Sequence, residues 1–173
     1  MELAVKNQTL AIAVVERVPA YLWCAGTPEN QGTCYFMDNA GYIFSEAPNF
    51  SGHTYFAYYG MISADNPVRL TYLDSKQFED LNLIQSGLVK IGLPTFAENS
   101  SADGARELYL NSGGKIIFKN TADPAMLISS LSMVKSQTSI LNQGAQPLDY
   151  IDMRFGNKVY YKFVGDNAIQ ASP

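Results

Sequence analysis

Two strand-like runs separated by Gly156-Asn157 constrain this chain more than any other feature. Leu148-Asp-Tyr-Ile-Asp-Met-Arg-Phe155 and Lys158-Val-Tyr-Tyr-Lys-Phe163 are rich in residues that fit a pleated surface, and the Gly-Asn break between them specifies a hairpin. Strict alternation puts Leu148, Tyr150, Asp152 and Arg154 on one face of the first run. Asp149, Ile151, Met153 and Phe155 fall on the other.

The same signals recur upstream. Glu107–Leu110 and Lys115–Phe118 flank Ser112-Gly113-Gly114 as a second hairpin. Cys34–Met37 and Tyr42–Phe44 flank Asp38-Asn39-Ala40-Gly41 as a third, since Asp, Asn and Gly supply the backbone angles of such turns. Thr9–Arg17 reads as a strand closed by Pro19, and Ala20–Cys24 as another. Residues 25–33 are turn-formers and read as a loop. Residues 45–67 read as a long loop with short strand pieces and exposed-looking aromatics at Tyr55, Phe56, Tyr58 and Tyr59. Ser75 as N-cap, with Phe78, Leu81, Ile84 and Leu88 at helical spacing, predicts a helix over 76–90, followed by a stretch ending in a polar loop at 98–104. Asp123-Pro124 opens a second helix with Met126, Leu127, Leu131, Val134 and Leu141 as its apolar stripe, broken over Gln143–Pro147. Strands joined by tight turns and interspersed with two helices predict an α+β fold: a mainly antiparallel sheet with both helices on one face.

Composition narrows the function. The net charge is −4, and 12 Lys and Arg are spread along 173 residues, so the clustered cationic surface that nucleic acid requires is missing. No apolar run approaches the ~18–20 residues of a membrane span, so any membrane attachment needs an anchor outside these residues. No phosphate-loop, dinucleotide or haem pattern occurs, and no cofactor is expected.

Conventional catalytic sets are equally hard to assemble. The one histidine, His53, lies in a Ser-Gly-His-Thr loop and reads as a solvent-exposed or turn-capping residue rather than a general base. One histidine and two cysteines fall short of a usual zinc site. Asp149 and Asp152 are three apart and so face opposite sides of a strand, which makes them a poor glycosidase pair. Asp152 and Arg154 share a face and read as a structural ion pair. The chain is expected not to be an enzyme.

Several stretches together resemble the bacterial cell-division protein family FtsQ/DivIB. Glu16-Arg17-Val18-Pro19-Ala20, with Trp23 one residue later than the commonest spacing, is similar to the stretch that ends the family's POTRA domain and opens its β domain. Cys34–Asp38 with Gly41–Phe44, and Glu107–Leu110 with Gly114–Phe118, are similar to its hairpins. Asp149–Phe155 with Val159-Tyr160 is similar to its closing signature. The family's cytoplasmic tail, transmembrane helix and first POTRA elements have no counterpart here. The resemblance implies residues 1–18 as the end of a POTRA-like domain, 19–165 as an FtsQ/DivIB-like β domain and 166–173 as a disordered tail.

It further implies a non-catalytic scaffold of the divisome, in a single-pass protein of the cell membrane with this domain on the extracytoplasmic side. The last strand would recruit a strand from an FtsB/FtsL-type subunit, through Lys158, Val159, Tyr160, Tyr161 and Lys162, with Phe155 near the turn. Tyr160 and Tyr161 point to opposite faces, so one of them meets the partner. In that compartment Cys24 and Cys34, brought side by side by a hairpin, are expected to form a disulfide. The alternatives are a cell-wall or carbohydrate-binding module using the aromatics at 55–59, and a hydrolase using His53.

Overall fold

A computed structural model of the chain describes residues 2–6, 9–60, 62, 64–137, 147–156, 158–166 and 170–172. Among these, twelve strands and two helices occur in the order β1 (Glu2–Lys6), β2 (Thr9–Ala13), β3 (Tyr21–Thr27), β4 (Asn30–Met37), β5 (Ile43–Glu46), β6 (Ala57–Tyr59), α1 (Ser75–Lys90), β7 (Thr95–Ser100), β8 (Ala105–Leu110), β9 (Lys115–Lys119), α2 (Pro124–Gln137), β10 (Leu148–Phe155), β11 (Lys158–Phe163) and β12 (Gln170–Ser172). β1 and β2 form a two-stranded antiparallel sheet. The other ten strands form one sheet in the order β12-β11-β10-β9-β8-β7-β6-β3-β4-β5. No helix among the described residues is long and apolar enough to cross a membrane.

The fold is α+β with a mostly antiparallel sheet, and its exceptions explain the helices. β6 pairs β7 in parallel and β9 pairs β10 in parallel. A parallel pair cannot be closed by a tight turn and needs a crossover. α1 is the crossover between β6 and β7, and α2 the one between β9 and β10. β3 and β6 make a third parallel pair.

Both helices bury their apolar stripes in a single core. Phe78, Leu81, Ile84 and Leu88 of α1 and Leu127, Leu131 and Val134 of α2 pack with Trp23, Met37, Ile43, Tyr58, Leu108, Ile116, Phe118 and Ile151 of the sheet. The helices also approach each other closely. A Cβ on Gly87 would lie 2.7 Å from the Ile128 side chain, so a larger residue there would have to displace it. Met126, expected in the stripe of α2, is instead 72% exposed. Leu141 and residues 143–146 lie outside the described residues. Asp123 caps α2 as expected, accepting from the Met126 N–H at 2.9 Å. α1 starts one residue earlier than expected: the cap is Asp74, which accepts from the Gln77 N–H, and Ser75 is already helical.

A smaller apolar cluster covers the opposite face at the β3–β7 end. It contains Leu22, Cys24, Cys34, Ala47, Ala57, Tyr59 and Ala97, with Phe36, Phe50, Tyr55 and Phe96 packed on it. This corrects the reading of 45–67 as a loop with exposed aromatics. Tyr58 and Tyr59 belong to a strand sandwiched between β3 and β7, and only 1% and 3% of their surface reaches solvent. They have no face to offer a sugar ring. Residues 25–33 are likewise not a loop, because β3 and β4 continue past the cysteines to a tight turn after Thr27. Nor is 98–100 a polar loop: it ends β7.

Cys24 and Cys34 are direct cross-strand partners and are joined by a disulfide, with Cα atoms 4.0 Å apart. The bond closes a short loop, so chain entropy assigns it about 2–3 kcal/mol of stability. Thiol labelling of the denatured, unreduced protein is expected to find neither cysteine reactive. Labelling of both would show the bond does not form.

Candidate functional site

The chemistry-bearing side chains gather on the helix-free face, at the β8–β11 end of the sheet. Register sets this up. Ile151 lies between Ile116 and Tyr161, and all three face the core. One residue on, Asp152 lies between Ile117 and Tyr160 and faces outward. Lys115, Ile117, Asp149, Tyr150, Asp152, Arg154, Phe155 and Tyr160 line a groove of about 780 Å³.

Two irregularities in β10 shape this groove. Its register against β11 shifts between Leu148 and Tyr150, and again between Asp152 and Phe155. Strict alternation, which places Phe155 and Asp149 away from Tyr150 and Asp152, therefore fails at both ends. Phe155 joins the outer face, where its ring meets Tyr160 edge-on at 5.1 Å, and it remains 55% exposed. Asp149 and Asp152 line the same groove, while Leu148 packs against the core. A bulge adds one residue to one strand and reverses the facing of the residues beyond it.

The charges of the groove are matched by one another and by neighbouring side chains. Arg154 donates from Nε to Asp152 Oδ1 at 2.9 Å and from a terminal nitrogen to Oδ2 at 2.7 Å. These hydrogen bonds raise the guanidinium's pKa. A second contact reaches Asp103 at 3.7 Å. Lys115 donates to Glu107 at 2.7 Å, and Lys162 lies 3.5 Å from Asp149. The surface left over is aromatic and aliphatic: Phe155, Tyr160, Tyr150 and Ile117. Such a site suits apolar and aromatic side chains of a partner better than a free anion.

The expected docking residues separate by face. Tyr160 faces the groove, whereas Tyr161 packs on the core edge-on to Phe163 at 5.8 Å. Val159 is buried in the core, Lys158 is exposed, and Lys162 is held by Asp149. β11 is not an open edge. β12 pairs with it, matching Val159 with Ser172, Tyr160 with Ala171 and Tyr161 with Gln170. Residues 170–172, expected in a disordered tail, are a strand. The ladder they form exists because β11 otherwise presents unpaired N–H and C=O groups.

The opposite end of the sheet is closed differently. The Ile43 N–H donates to the Leu70 carbonyl at 2.8 Å, and the Arg69 N–H to the Ile43 carbonyl at 2.8 Å, so residues 69–71 cover β5. Near it, Arg17 ion-pairs with Asp38 and lies 4.0 Å over the Tyr42 ring. Asp38 also accepts from the Ala40 and Tyr42 N–H groups, each at 3.0 Å. Arg17 thus fixes the entering chain to the turn before β5.

Other polar groups lie away from the groove. His53 is exposed and stacks on Phe96 with ring centres 3.7 Å apart. Among the described residues, no set of three His, Cys, Asp or Glu side chains is placed to hold a metal ion. A buried network escaped sequence reading. Glu98, fully buried on β7, accepts from Arg106 of β8 at 2.8 Å and from Ser100 at 2.7 Å, and Tyr72 lies 2.9 Å from its other oxygen. Burial raises the Glu98 carboxyl pKa, while the Arg106 charge and these hydrogen bonds oppose the rise. Neither residue carries a local pattern that would have revealed it.

Neither a protein-family model nor a curated protein sequence matches the chain.

Proposed function

We propose that this chain is an extracytoplasmic scaffold domain of FtsQ/DivIB type in a bacterial cell-division assembly. It binds a partner subunit by strand addition beside β11 and performs no catalysis. The observation that carries the reading is the groove: exposed Phe155 and half-buried Tyr160 stand next to the sheet's C-terminal edge, among charges paired with their neighbours. A partner strand would extend the ladder, and its alternate side chains would enter the groove beside Phe155. The contact between Arg17 and Asp38 adds support, since both belong to the stretches that resemble the family. The protein would reach the membrane through an anchor outside these residues.

The test is a titration against the extracytoplasmic segment of the same organism's FtsB-type subunit. Net ladder hydrogen bonds contribute only about 0.5–1.5 kcal/mol each, so the aromatic anchor matters. Phe155→Ala is expected to weaken binding about 30-fold, a loss of about 2 kcal/mol. Tyr160→Pro, which breaks the ladder, is expected to abolish it while circular dichroism reports a folded chain. Full binding by both variants would remove the proposed site.

A further inference from the structure

The edge that a partner strand would take is occupied by the chain itself, and the occupant is short. β11 runs for six residues, and among the described residues β12 pairs with Val159, Tyr160 and Tyr161. Lys158, Lys162 and Phe163 have no partner in that ladder among the described residues. The chain turns back tightly: the Asp166 N–H donates to the Phe163 carbonyl at 3.2 Å, and Gly165 takes φ +90°, a left-handed conformation suited to glycine. The sequence from Asp166 to Pro173 contains no aromatic residue. β12 therefore covers the edge while Phe155 beside it stays 55% exposed. β12 fills the middle of the ladder, while Phe155 of the groove stays exposed.

We propose that β12 is a built-in placeholder, exchanged for the partner strand on binding. The inference rests on the scaffold reading for the identity of the partner, but the placeholder itself is defined by the pairing of β12 with β11. The incoming segment is an extended one. It is longer than three residues, runs along β11 where β12 lay, and carries an apolar or aromatic side chain into the groove at Phe155 and Tyr160. It out-competes β12 because it pairs along β11 and also covers Phe155, which β12 leaves exposed. Until it arrives, β12 keeps the edge from pairing with other chains.

The test uses the full chain with Gln170→Pro, which disrupts the pairing of β12 with Tyr161 and leaves the sequence of β11 unaltered. Amide exchange is followed at Val159, Tyr160 and Tyr161, with Leu108 and Ile116 as internal controls for an intact core. The same FtsB-type segment is titrated into both forms. A placeholder closed nine-tenths of the time weakens binding about tenfold. The variant should therefore bind about tenfold more tightly, and exchange at the outward amides of β11 should speed up with the controls unchanged. Unchanged exchange would overturn the placeholder whatever the partner does. Faster exchange with equal or weaker binding would overturn displacement, because the partner would then dock elsewhere or add outside β12. Faster exchange with no binding by either form would support the placeholder and count against the scaffold reading.

Discussion

Arg106→Met is expected to lower the folding free energy by about 3–5 kcal/mol, read as a large drop in the urea midpoint. Arg106 and Glu98 have side chains 5% and 0% exposed, and they meet at 2.8 Å across β7 and β8. Removing the guanidinium leaves a carboxylate in the core with hydroxyl partners alone, Tyr72 and Ser100. A lone buried charge costs far more than the pair gains over an apolar replacement. The control is the double variant with Glu98→Leu, which removes the stranded charge. It should recover at least about 1 kcal/mol relative to the sum of the single losses. Additive losses would mean that the pair is not coupled and that packing alone accounts for the drop.

Alkaline pH is expected to unfold this protein steeply, through tyrosines rather than through the disulfide. Burial raises the phenol pKa of Tyr58 and Tyr72 well above the ordinary value, and the neighbouring Glu98 charge adds to both shifts. Proton counting gives the sign. As pH passes the ordinary tyrosine value of about 10, the unfolded chain releases these protons and the folded chain keeps them. Stability that is intact below that value is then lost as pH rises further. Each tyrosine contributes a slope of about 1.4 kcal/mol per pH unit, so the two together give about 2.7 kcal/mol per unit. Tyr21, Tyr59 and Tyr109 shift in the same direction at less buried sites, chiefly through desolvation, and add smaller effects of the same sign. Denaturant titrations at successive pH values, with phenolate absorbance followed in parallel, measure the slope. Tyr72→Phe should remove about half of the two-tyrosine slope. An unchanged slope would assign the alkaline loss to other groups.

The hairpins β8–β9 and β10–β11 and the cores of both helices were legible because each is specified by residues close in sequence. Alternation, a Gly-rich break and a 3.6-residue stripe are local signals. β6 was not legible. Three residues, Ala57 to Tyr59, form a central strand only because β3 and β7 flank them, and the same residues in isolation read as an aromatic loop. The parallel pairs were missed for a related reason: α1 and α2 were read as covers for the sheet, not as crossovers that fix its strand order. In the candidate site, simple alternation separated Tyr160 from Tyr161 but did not say which of them faces outward; the pairing of β11 with β10 decides it. Phe155 and Asp149 were misplaced because nothing local marks the bulges in β10. Glu98 and Arg106 are ordinary surface residue types in the sequence, and only the pairing of β7 with β8 turns them into a buried couple.

The strand order also sets a distance. The chain enters the large sheet at β3, held there by Arg17 on Asp38, and the groove lies at β10 and β11 near the other end. Six inter-strand steps separate β3 from β11 in that order. At about 4.8 Å per step they span roughly 29 Å before twist is considered. Hydrogen-bonded strands resist stretching, so the sheet acts as a rigid outrigger. Anything joined upstream of Val18 and anything captured beside β11 are held about 3 nm apart by a beam whose length is fixed by the number of its strands. Adding or deleting a strand between them would change that offset in steps of one strand spacing.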